Sequence, residues 1–218
     1  MTTMVKVVKP QPRPGRPLRG TEGEITLRIL EAATQVFLKQ NFESVSIDDI
    51  ASAARISKKT FYTRFSSKGD LFEAFVVRFI DGRVLSAEQI DLSKSTVAEA
   101  LHDVAVSILQ TVLHPDVVAL QRNVLAEAVR FPELARLLHD FGRSRLVVIV
   151  ERCLEEGVRR SEIQVDDIHF TAEHFVTTVI RSPLYRAVIG LDRPEFSHTK
   201  HEDLKRTLNL FLRGCLPR

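Results

Sequence analysis

Between Ser46 and Phe65 the chain reads SIDDIASAARISKKTFYTRF, and this stretch limits the possible folds more than any other. Each half opens on a serine that suits a helix N-cap, Ser46 before IDDIASAA and Ser57 before KKTFYTRF. Asp48 and Asp49 fall in the first turn of the first half, where acidic groups favour the positive end of the helix dipole. Ile47, Ile50, Ala51 and Ala54 give that half a buried face. A turn of about three residues follows Ala54, so two short helices must meet at a steep angle, the helix-turn-helix arrangement.

On the second helix, Phe61 and Phe65 are four apart and continue the apolar line from Ile56, which turns them inward. The opposite face carries Lys58, Lys59, Thr60, Tyr62 and Thr63. Such a set is an ordinary solvated face on most helices. Here it sits on the second helix of a tight pair, whose first residues enter a major groove when such a pair binds DNA.

Charge supports a polyanion partner for this part alone. Residues 1–78 hold 13 Lys or Arg against 8 Asp or Glu, a net +5, while the whole chain is only +3. The first twenty residues contain four prolines, five Lys or Arg and no acid, a composition that neither packs nor forms helix, and residues 1–20 read as a flexible basic arm. Its Arg13, Arg16 and Arg19, set among prolines and glycines, suit either a non-specific electrostatic tail or a reader of narrow minor grooves.

Helical patterning begins near Glu22, with Ile25, Ile29, Ala32, Ala33, Val36 and Phe37 at spacings of three and four. After the two short helices, Ser66 or Ser67 caps a fourth helix striped by Leu71, Phe72, Phe75, Val76 and Phe79. Beyond Gly82, amphipathic stretches without β signature follow at 95–113, 117–130, 132–160, 166–189 and 198–212. The expected fold is all-α: residues 21–68 form a three-helix helix-turn-helix DNA-binding domain, and residues 69–218 a larger helical domain for ligand binding and dimerisation. Two cysteines, Cys153 and Cys215, suit neither a disulfide framework nor a metal site. No apolar run reaches the roughly 18 residues of a membrane span and no export signal is evident, so a cytoplasmic location without a membrane partner is expected. The chain shows no paired nucleophile and base and no Gly-rich phosphate loop, which argues against an enzyme.

The run ILEAATQVFLKQNFESVSIDDIASAARISKKTFYTRFSSKGDLFEAF, Ile29 to Phe75, resembles the DNA-binding domain of the TetR family of bacterial transcriptional regulators. The resemblance implies base contacts from Lys58, Lys59, Thr60 and Thr63, with Tyr62 touching DNA backbone or a thymine methyl. It implies phosphate contacts from Ser46 and Lys68, each near a helix N-terminus, and from Arg64 on the flank. One departure stands out. The family usually carries glycine where this chain has Arg55, and a left-handed arginine there costs roughly 1 kcal/mol, with its side chain expected over DNA backbone or solvent.

The stretch VLAEAVRFPELARLLHDFGRSRLVVIVERCLEEGVRR, Val124 to Arg160, resembles the C-terminal domains of the AefR-like subgroup of that family. This implies a regulatory domain that dimerises and encloses a small-molecule pocket. Phe170, Phe175, Val176 and Val179, with Leu204, Leu208, Phe211 and Leu212, are apolar enough either for the domain's own core or for association. Arg122, His139, Arg143, His174 and Thr178, with Arg181 and Tyr185, are polar residues among apolar ones, candidates for a pocket whose cations suit an organic anion such as a carboxylate. His169, Glu173 and His174 raise a metal site but lack a fourth ligand at suitable spacing. No cofactor is expected other than a small-molecule effector. The expected function is a homodimeric repressor, released by that effector from a palindromic double-stranded operator. The alternative is a constitutive architectural DNA-binding protein whose second domain only dimerises.

Overall fold

The computed structural model describes residues 22–88 and 96–215, and every regular element among them is helical. The basic arm, with Arg13, Arg16 and Arg19, lies outside the described residues. Helix α1 spans Glu22–Phe37 and buries Ile29, Ala32, Ala33 and Phe37, the face its spacing requires. Helix α2 spans Ile47–Ala53 and starts in a reciprocal capping box: the Ser46 hydroxyl accepts from the Asp49 amide, and the Asp49 carboxylate accepts from the Ser46 amide. Helix α3, Lys58–Tyr62, is capped by Ser57, whose hydroxyl accepts from the Thr60 amide. Between them Arg55 adopts φ 54°, the left-handed conformation that glycine usually supplies.

Helix α4 spans Lys68–Glu88 and lies against α1. Phe37, Phe42, Phe72 and Phe75 form an aromatic cluster in which the Phe37 and Phe72 rings meet edge to face with centroids 5.0 Å apart. Phe61 is fully buried in the same core and Phe65 nearly so, while Tyr62 is half exposed. This first core does not close at residue 68. It continues along α4 to Phe79 and takes in Leu120, Val124 and Leu134 from elements farther along the chain. Packing therefore places the junction between the two parts within α4 rather than at its start.

The second core is built by α5 (Val97–Val112), α8 (Ser144–Arg159), α9 (Ile168–Val188) and α10 (His198–Cys215). Thr96 caps α5 in a second capping box, with Glu99. Leu101, Val104, Ile108, Val150, Leu154, Phe175 and Val176 are buried at its centre. Gly157 is required by close approach, since a Cβ there would lie 2.6 Å from the Val97 side chain. Helix α6 (Pro115–Glu127) bridges the two cores, and α7 (Pro132–Leu138) packs on the first. Each begins with proline at its first position, where no amide donor is needed. The single stretch read over 132–160 is one helical path interrupted by a π turn at His139–Arg143 between α7 and α8.

Among the described residues no single helix is long and apolar enough to cross a membrane. The apolar residues of α9 and α10 divide differently from the association reading. Phe175, Val176, Val179, Leu204 and Leu208 are consumed by the second core, and only Phe170 of that set stands exposed.

Candidate nucleic-acid interface and ligand cavity

Helix α3 presents Lys58, Lys59, Tyr62 and Thr63 to solvent, with Thr60 half-buried beside them. The turn that sets its angle is held from α1. The Arg28 guanidinium donates to the carbonyls of Ala54 and Arg55, satisfying the end of α2 just where the backbone turns left-handed. Nothing in the local sequence marks Arg28 for this role, because its partners lie 26 and 27 residues away. The Arg55 side chain is exposed, as expected.

The polar residues of this face differ in what they already hold. The Lys58 ammonium lies 3.0 Å from the Asp48 carboxylate, and this hydrogen bond raises the lysine's affinity for its proton. Asp48, an acid that would otherwise repel DNA, thus fixes one arm of the recognition helix. Asp49 is tied to Ser46, whose hydroxyl donates to it at 2.6 Å and holds its carboxyl below the usual range. The Thr63 hydroxyl donates to the Thr60 carbonyl at 2.7 Å, and the Thr60 and Ser57 hydroxyls lie 2.8 Å apart. Lys59 and the Tyr62 hydroxyl make no hydrogen bond to any described residue, so they are the groups of this face readiest for an outside partner.

Two expected phosphate ligands are placed otherwise. The Lys68 ammonium donates to the carbonyls of Phe42, Glu43 and Val45 at 2.6, 3.1 and 2.8 Å and sits 4.5 Å from the centre of the Phe42 ring. All three of its protons have protein acceptors. Partial burial lowers its pKa. Lys68 clasps the loop before α2 instead of reaching into solvent. Arg64 turns back to α1, with Nη2 3.2 Å from Glu22 Oε1 and a buried Nε that has no hydrogen-bond partner among the described residues. Ser46 is exposed at the N-terminus of α2, where its amide and hydroxyl already donate to the Asp49 carboxylate.

A cavity of about 360 Å³ lies between α4, α5, α6, α7, the π turn, α8 and α9. Most of its wall is branched aliphatic, from Ile80, Val112, Val117, Leu125, Leu146, Ile180 and Leu184. Its polar groups among the described residues are Arg83, Thr111, Gln121, His139 and Arg143, and no described carboxylate lines it. The π turn widens the helix where His139, Gly142 and Arg143 face the space. Arg143 is anchored by a 2.6 Å bond from Nη2 to the Thr177 hydroxyl. His139 Nδ1 lies 3.1 Å from Asp140.

His139 and Arg143 are therefore brought together as expected, and Arg122, His174 and Thr178 are not. Arg122 donates to the carbonyls of Ala187 and Val188 at 2.6 and 2.7 Å, closing the C-terminal end of α9. His174 stacks on Phe170 with 6.3 Å between ring centres, and the Thr178 hydroxyl donates to the His174 carbonyl. Phe170, His174, Thr178, Arg181 and Tyr185 form one exposed stripe along α9. Phe170 and Tyr185 are 66% and 62% exposed, which marks a face left uncovered by the described residues. His169 is placed beside α8, with its Nδ1 2.6 Å from Glu151. Sequence patterning does not single out Arg83, Thr111 and Gln121, which stand on three different helices and meet only in the folded chain.

Three walls of the cavity are shared. Phe79, Leu120 and Val124 line it and also belong to the core that seats the recognition helix. From the same helix as Leu120 and Val124, the Asn123 amide donates to the Phe37 carbonyl at 3.0 Å, at the end of α1.

Comparison with known proteins matches residues 29–75 to a family described as bacterial regulatory proteins, tetR family. Residues 99–214 match a family described as AefR-like transcriptional repressor, C-terminal domain. Among solved structures, the flavonoid-responsive regulator FrrA is 32% identical, with 90% of this chain and 99% of that chain covered and a TM-score of 0.78. The DNA-binding transcriptional repressor TetR of Mycobacteroides abscessus is 27% identical over 74% of this chain and 86% of its own length. The transcriptional activator FasR of Mycolicibacterium smegmatis is 36% identical over 62 residues, which span 28% of that protein.

Proposed function

The chain belongs to the TetR family of transcriptional regulators, and from that premise we propose that it is a homodimeric repressor released from a palindromic operator by a small organic effector. The observation that carries this reading is the shared wall: Phe79, Leu120 and Val124 touch both the cavity and the core behind the recognition helix. A ligand that fits one arrangement of α4 and α6 better than another shifts the pose of α3, and its differential affinity sets how far. FrrA, similar over nearly its whole length, is described as flavonoid-responsive, which favours a small organic effector here too. A cavity with polar groups in the second part favours this over an architectural protein that only dimerises.

Dimerisation uses the exposed α9 stripe of Phe170, His174, Thr178, Arg181 and Tyr185, together with Leu210 of α10, which is 76% exposed. Two recognition helices about 34 Å apart then match successive major grooves on one face of DNA. Lys59 and Tyr62 reach base edges or backbone first, Lys58, Thr60 and Thr63 after rearranging their internal bonds, and Arg13, Arg16 and Arg19 of the arm add minor-groove or phosphate contacts. Selection of bound duplexes from random-sequence DNA, followed by release with a panel of organic acids and phenols, tests the proposal. A single palindromic motif released by at least one compound is expected; failure to enrich any palindrome would overturn it.

A further inference from the structure

We propose that the cavity takes an amphipathic organic acid whose carboxylate binds Arg83 in place of Asp116, so that the effector dissolves an ion pair between α4 and α6. The proposal rests on the ligand-released reading and adds the ligand's chemical class and the contact it breaks.

Arg83 sits on α4 at the cavity wall. Its Nη2 lies 3.0 Å from Asp116 Oδ2, its Nη1 donates to the Phe79 carbonyl at 3.2 Å, and its guanidinium lies 3.6 Å from the centre of the Phe79 ring. Its Nε is buried and finds no hydrogen-bond partner among the described residues. Nε and Nη2 form the edge of a guanidinium that binds a carboxylate through two parallel hydrogen bonds. Asp116 occupies only half of that edge. A buried donor without an acceptor is costly, and an incoming carboxylate that takes both nitrogens removes the cost.

The surroundings favour such a guest. Arg83, Arg143 and His139 are all basic, no acidic side chain among the described residues lines the cavity, and the rest of the described wall is mainly aliphatic. Asp116 is also free to leave. Its side chain is 43% exposed, so water can solvate it, and it stands in the first turn of α6, where the helix dipole keeps favouring its charge. The exchange replaces one single-point ion pair by one bidentate pair and unfastens α4 from α6. The far end of α4 carries Lys68, whose ammonium holds the loop leading into α2.

Two acids of different shape, 2-naphthoate and decanoate, each compared with its neutral amide, provide the test. Binding to the full-length dimer is measured by calorimetry, and affinity for a selected operator duplex by fluorescence anisotropy. At least one acid is expected to bind about tenfold or more tightly than its amide, the scale of a charge-assisted pair, and to weaken operator binding. Arg83→Gln should erase the difference between acid and amide. Asp116→Asn should tighten acid binding severalfold and weaken operator binding without any ligand. Equal affinity for acid and amide, binding of neither, or an Asp116→Asn protein with unchanged acid affinity would overturn the proposal. An amide that releases DNA as well as its acid would remove the carboxylate seat while leaving ligand release standing. An acid held selectively by Arg83 that leaves operator affinity unchanged would overturn both.

Discussion

The recognition unit and the cavity sit back to back on α4, yet they are built from contacts of different range. The helix-turn-helix takes most of its geometry from neighbouring residues, two serine caps, one left-handed residue, and Phe61 and Phe65 one helical turn apart, with Arg28 of α1 adding a distant tie to its turn. The cavity is assembled from seven elements spread between Phe79 and Leu184, and three of its polar groups, Arg83, Thr111 and Arg143, bond to residues 28 to 34 positions away. The difference teaches where each is vulnerable. The reading face tolerates change on its surface but not beneath it, whereas the cavity tolerates truncation of single wall residues but not loss of the ties that set its shape.

The largest expected effect is beneath the reading face. Phe61 is fully buried, and Phe61→Ala should lower unfolding free energy by roughly 3 to 5 kcal/mol. Leu125, half exposed at the cavity mouth, should cost less than about 1 kcal/mol as alanine. Urea denaturation of both variants measures the contrast, and equal losses would break it.

On the surface, Lys59→Ala and Tyr62→Ala should each reduce operator affinity about tenfold, within the roughly 1 to 3 kcal/mol of a specific base contact, with unchanged stability. Anisotropy titration beside thermal melts separates the two. A smaller effect of opposite kind is expected at Lys68. Lys68→Met leaves three carbonyls without their donor and should cost about 1 to 3 kcal/mol of stability, while the salt dependence of DNA binding keeps its slope. A slope reduced by about one would return Lys68 to the phosphates.

The smallest effect belongs to the other side of the comparison, where α8 meets α9. The hydrogen bond to Glu151 raises the pKa of His169. The charged imidazole is therefore favoured in the folded state. Its contribution is complete below the ordinary value of about 6.5 and is lost as pH rises through the raised folded value. Stability should fall slightly across that window, and Glu151→Gln should flatten the decline seen in melts from pH 5 to 9.

These contrasts also explain what was legible in the sequence. The order of helices, both serine caps, the inward Phe61 and Phe65 and the conformation of Arg55 follow from local spacing, backbone preference or family pattern, and the structure shows each of them. Lys68 and Arg64 were misplaced because their partners, the Phe42 loop and Glu22, lie far along the chain, and a basic side chain looks alike whether it meets a phosphate or a carbonyl. Within the second domain, polar residues amid apolar ones had three destinations: the cavity for His139 and Arg143, a helix end for Arg122, and an open face for His174 and Thr178. Periodicity places a residue on a face of its helix but does not say what that face meets.

The central claim is that occupancy of the cavity and the pose of the recognition helix are one equilibrium, joined through Phe79, Leu120 and Val124. Gln121 lines the cavity without belonging to the core behind α3, so Gln121→Trp fills the space with an indole and leaves the shared wall intact. Operator affinity of this variant, measured beside its melting temperature and dimer mass, tests the claim most directly. A folded dimer that binds the operator at least about tenfold more weakly than the parent is expected, a coupling of the usual roughly 1 to 3 kcal/mol. A folded dimer with its cavity filled and its operator affinity unchanged would contradict it.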